Sequence, residues 1–113
     1  MAENEITETK PTPRKKAPAR KPDPMALLVA EAKEAVSQLG PLPKAGTPDH
    51  RRKHHDGRAA AWAKQYAHEG TSDSLLLSLA FEVGACYPQE ERHALLQLAG
   101  AALALADRLD GDK

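Results

Sequence analysis

The chain is short of several things, and each shortage removes a class of protein. A single cysteine, Cys86, in 113 residues excludes an internal disulfide framework and leaves a reducing compartment as the default. Four aromatic residues, Trp62, Tyr66, Phe81 and Tyr87, stand against many leucines and alanines, a balance that favours helix over sheet because Ala and Leu lose little side-chain freedom in a helix. No long hydrophobic run is present. The longest, Ala94 to Ala106, is broken only by Gln97, and its 13 residues reach about 20 Å at about 1.5 Å each. That falls short of the roughly 30 Å of a bilayer's hydrocarbon, so no membrane partner is expected. The N-terminus lacks the apolar stretch of a signal peptide, and the expected location is cytoplasmic.

Chemistry-bearing patterns are equally scarce. There is no glycine-rich phosphate loop, and no pair of carboxylates lies in an apolar setting that would split their pKa values. Cys86 sits between Ala85 and Tyr87 at the end of an apolar segment, where a thiol is a small core residue rather than a nucleophile. His50 and His54 have the four-residue spacing at which two imidazoles share a metal, but no third ligand is near in sequence and the neighbouring Arg and Lys oppose a cation. The expectation is a protein that is no enzyme and holds neither cofactor nor metal.

What is present is an uneven distribution of charge under a net charge of zero. Residues 1–22 carry six basic and three acidic groups, residues 47–70 five and three, and residues 71–113 three and seven. A basic front and an acidic back hint at a polyanionic partner. Residues 1–22 also hold four prolines and one large apolar residue, Ile6, which predicts a disordered basic tail. Its cations are Arg14, Lys15, Lys16, Arg20 and Lys21.

The remainder reads as an all-α domain over 23–110, a small four-helix bundle, with a polar tail at 111–113. Helices are predicted over 24–39, 48–68, 73–86 and 88–109. Asp23-Pro24 is a start signal, Gly40-Pro41 a stop, Thr47-Pro48-Asp49 a second start and Gly70 a second stop. Ser72 reads as the cap of the third helix, and Pro88 as the first residue of the fourth. In the third helix only Ser74, Ser78 and Glu82 break the apolar surface, and these are expected to form a thin wet stripe. The segment Ala94–Leu109 is expected to be the central, covered helix, antiparallel to the third.

Two surfaces are left to do something. The stretch His50–Arg58 has no apolar residue, so Arg51, Arg52, Lys53, His54, His55 and Arg58 are expected to project past the bundle, with a possible break at Asp56-Gly57. Together with the tail they form the candidate nucleic-acid contact, governed by backbone charge rather than base readout. Leu95, Leu98, Ala102, Leu105 and Leu109 share a stripe of the fourth helix and form the candidate surface for a homodimer or a partner protein. The leading expectation is therefore a non-catalytic accessory protein that binds nucleic acid. The alternative is a helical adaptor that offers a leucine-rich groove to another protein, with the tail as a tether.

Overall fold

The computed structural model describes residues 23–111, and the fold is all-α with four helices. They are α1 (Pro24–Ser37), α2 (Asp49–Glu69), α3 (Ser72–Ala85) and α4 (Glu91–Gly111), with a 3₁₀ turn at Pro88–Glu90 leading into α4. No described helix is long and apolar enough to cross a membrane. The predicted tail over 1–22 lies outside the described residues.

The ends follow local chemistry. Asp23 caps α1, its Oδ1 accepting from the Met25 amide at 3.2 Å, and Pro24 fills the first helical position. Gly70, with φ at 67°, ends α2 in the left-handed conformation and donates its amide to the Tyr66 carbonyl at 2.8 Å. At α3 the cap position belongs to Thr71 and not Ser72, and no side chain caps the helix. The Thr71 hydroxyl instead meets that of Ser74 at 2.7 Å.

Helices pack in the order α2 on α3, α3 on α4 and α4 on α1, with α2 and α3 the most extensive pair. That corrects the expected centre of the fold, which was α3 against α4. The connection between α2 and α3 is only Gly70 and Thr71, so the two run antiparallel. The α3–α4 pair is antiparallel as well, since Leu75 shares a cleft with Leu105 and Arg108 while Cys86 shares another with Ala94 and Gln97.

Small side chains make the interior. Ala59, Cys86 and Ala94 are the buried hydrophobic residues, joined by Ser74 and Ser78. The predicted wet stripe of α3 is thus turned inward at both serines, and Leu75, Leu76, Leu77 and Leu79 are only half-buried. Small residues let helix backbones approach closely, and each buried hydroxyl is satisfied within its own helix. Ser74 donates to the Thr71 carbonyl at 2.9 Å and Ser78 to the Leu75 carbonyl at 2.8 Å.

The segment Ala94–Leu109 is not sealed inside a single chain. Ala94 is buried, Leu98, Ala101 and Leu105 continue its stripe half-buried, and Leu95, Leu96 and Leu109 are 47%, 53% and 63% exposed. In α1, Met25, Leu28 and Val29 are half-buried, whereas Ala32, Ala35, Val36 and Leu39 beyond them on the same apolar face are exposed. Leu42, expected to fold back onto the bundle, is 69% exposed.

Candidate nucleic-acid interface

The basic segment belongs to one uninterrupted helix. No break occurs at Asp56-Gly57, because α2 runs from Asp49 to Glu69 and Gly57 is simply an exposed helical residue. Nor does its first half project beyond the fold. Arg52, His55, Ala59 and Trp62 recur at alternating intervals of three and four, and all four are buried or half-buried. The packing stripe therefore continues to the start of α2 through polar residues, shifted from the Arg51, His55, Arg58 and Trp62 stripe inferred from the pattern.

Each polar member of the stripe has a structural task. Arg52 donates from Nη1 to the Cys86 carbonyl at 2.6 Å, satisfying an orphan group at the end of α3. Its Nη2 meets Asp49 Oδ1 at 3.0 Å. The His55 ring lies against α3, 5.9 Å from the Phe81 ring and tilted by 32°. Its Nδ1 is buried, with no hydrogen-bond partner among the described residues. The Arg58 guanidinium sits 5.9 Å from the Phe81 centroid, within cation–π range, while the residue stays exposed.

With Arg52 and His55 turned inward, the solvent side of α2 sorts its charges. His50, Arg51, Lys53, His54, Arg58, Lys64 and His68 are all exposed, and helical spacing places them across the face opposite Ala59. The two acids of this half, Asp49 and Asp56, fall to one edge, where they line a cleft of about 670 Å³ with Arg52, Lys53, Ala85, Tyr87 and Pro88. The cationic face is thus not neutralised from within α2. At 21 residues, α2 is about 31 Å long.

Of the sequence-derived contact residues, the structure places Arg51, Lys53, His54 and Arg58 on this face, and Arg52 and His55 in the helix packing. Arg14, Lys15, Lys16, Arg20 and Lys21 lie outside the described residues. Tyr87 is an aromatic that spacing alone did not connect to the basic helix; it is 63% exposed in the α3–α4 turn and lines the cleft beside Lys53.

The lone thiol is poorly suited to nucleophilic chemistry. Burial pushes the Cys86 pKa up, and the carboxylates of Glu82, Glu90 and Glu91 push it further in the same direction. Its Sγ lies 3.5 Å from the Val83 carbonyl. Among the described residues no three His, Cys, Asp or Glu side chains gather as a metal site. The chain matches no known protein family, no characterised protein and no solved structure in the comparisons made.

Proposed function

We propose that this is a non-catalytic accessory protein that binds nucleic acid through the outward face of α2, reinforced by the cations of residues 14–21. The observation that carries the reading is the sorting of charge on α2: Arg51, Lys53, His54 and Arg58 face solvent together, and Asp49 and Asp56 are displaced to one edge. Such a face neutralises phosphates and releases condensed counterions without reading bases. Nothing on it offers the bidentate base contacts of a recognition helix seated in a groove, so affinity should be indifferent to sequence.

The test is a titration of a labelled random-sequence duplex at two salt concentrations. If about four phosphates are neutralised, affinity drops about a hundredfold between about 50 and 200 mM salt. Replacing Lys53 or Arg51 by Ala should lower the slope of log affinity against log salt by about one each. Binding that ignores salt, or none at low salt, ends the proposal.

The adaptor reading rests on a different observation, the exposed apolar half of α1 with Val36 at 58%, Leu39 at 66% and Leu42 at 69%. An amphipathic partner helix would cover these side chains. Val36→Lys with Leu39→Lys separates the readings, since it removes an apolar dock and leaves the salt-dependent term untouched.

A further inference from the structure

The free flank of α4 is built to pair with a second copy of itself. Three sides of this helix are accounted for. Ala94, Leu98, Ala101 and Leu105 turn toward α3, and Leu103, Ala106 and Asp107 are half-buried on the opposite side, where α1 packs. Of the two flanks left between them, one carries His93, Gln97, Ala104 and Arg108, as a solvated surface should. The other carries Leu95, Ala99, Ala102 and Leu109, all exposed and none of them polar. Depletion of charge with leucines left in water marks the centre of an interface rather than a wetted side.

We infer that the occupant is a second copy of this chain, docked antiparallel through α4 about a two-fold axis at Ala102. The order of side-chain sizes along the flank carries the choice. Leu95 and Leu109 each stand seven residues, two helical turns, from Ala102, and only Ala99 and Ala102 lie between them on the flank. Two packed helices cross at an angle, so their surfaces are closest at the crossing point and diverge on either side. Small residues belong at the crossing and large ones where the gap opens, the sequence found here. Because the large residues are equidistant from the small one, an antiparallel copy brings Leu95 opposite Leu109 of its partner and Ala102 opposite itself. That is the isologous self-complementarity of a two-fold dimer. Antiparallel alignment also opposes the two helix dipoles favourably.

The single chain needs the cover. Its buried apolar residues are two alanines and a cysteine, a small return for ordering four helices. Of the stripe inferred from sequence, Leu98 and Leu105 are withdrawn into the α3–α4 contact, so Leu95, Ala102 and Leu109 remain as the pairing residues. The inference stands apart from nucleic-acid binding and survives if that fails.

Sedimentation equilibrium on the full chain, with crosslinking of single-cysteine additions by a short bis-maleimide, tests it. The expected result is a concentration-dependent dimer, lost in Leu95→Lys and in Leu109→Lys with helical circular dichroism retained. Ala102→Cys should crosslink to a covalent dimer, while Ala104→Cys on the polar flank and the unaltered chain, whose Cys86 is buried, should not. The crosslink reads the geometry even if a lysine variant fails to fold. A chain monomeric at every concentration, a dimer that persists in both lysine variants, or equal crosslinking at 102 and 104 overturns it.

Discussion

The imidazole of His55 occupies the space that a side chain on Gly84 would need: a β-carbon built there would lie 2.7 Å from Cδ2 and 3.0 Å from Cγ. Neighbouring atoms do not come so close, so α2 and α3 meet here at backbone distance because Gly84 is bare. Gly84→Ala would gain up to about 1 kcal/mol of helix propensity but meets an overpacking cost of about 1–3 kcal/mol. The expected outcome in a urea titration is a net loss of about 1 kcal/mol. In a His55→Ala background the same change should become stabilising, and a cycle without coupling between the two sites would contradict the contact.

Arg52 and Lys53 are adjacent, yet their replacement should have opposite signatures. Arg52→Met deletes the bond to the Cys86 carbonyl, and a hydrogen bond from a charged donor contributes about 1.5–3 kcal/mol. Thermal unfolding should detect that loss. Lys53→Met, at an exposed site, should stay within about 0.5 kcal/mol of the parent while weakening binding to a polyanion. Equal destabilisation by both would mean that the Arg52 contact carries no weight.

Ser78 and Glu82 occupy successive turns of α3 and looked equivalent by pattern. Ser78→Leu places three further carbon atoms in a packed seam and should cost about 1–3 kcal/mol. Glu82→Leu, at an exposed position, should change stability little. Guanidinium titrations of the pair rank them, and the reverse order would restore the wet-stripe reading.

The raised pKa of Cys86 fixes the sign of a pH effect. The folded chain holds this proton more tightly than the unfolded chain does, so the contribution is fully present below the ordinary thiol value of about 8.5 and is lost as pH rises toward the folded value. Melting temperatures of the native chain and of Cys86→Ala, compared at pH 7 and above pH 9, should show the native chain losing more. The native thiol should also resist a maleimide near pH 7 until the chain is unfolded.

Helix identity was legible because it rests on local signals. Asp23-Pro24 and Gly70 each carry a backbone consequence that no tertiary contact reverses, and the four helices lie within a few residues of their expected ends. Which faces pack was less legible. Hydropathy directs attention to Leu75, Leu76 and Leu77, but close approach of two helices favours small residues, and Ser74 and Ser78 satisfy their hydroxyls locally at no cost to the seam. The basic half of α2 misled for a related reason. The intervals joining residues 52, 55, 59 and 62 already traced the packing stripe, but two of its members are an arginine and a histidine, which polarity alone assigns to water. Recognition that Arg52 could finish a neighbouring helix requires knowing where Cys86 ends up, a relationship 34 residues apart in the chain.

The two-residue link at Gly70-Thr71 has a kinetic consequence. Closing so short a loop costs little entropy, and the contacts between α2 and α3 are near in sequence, so this hairpin should collapse ahead of the rest. α1 must wait for α4 across more than fifty residues. The cationic face would then exist on a half-folded chain before its leucine flank finds cover, and a polyanion present during synthesis could meet it at that stage.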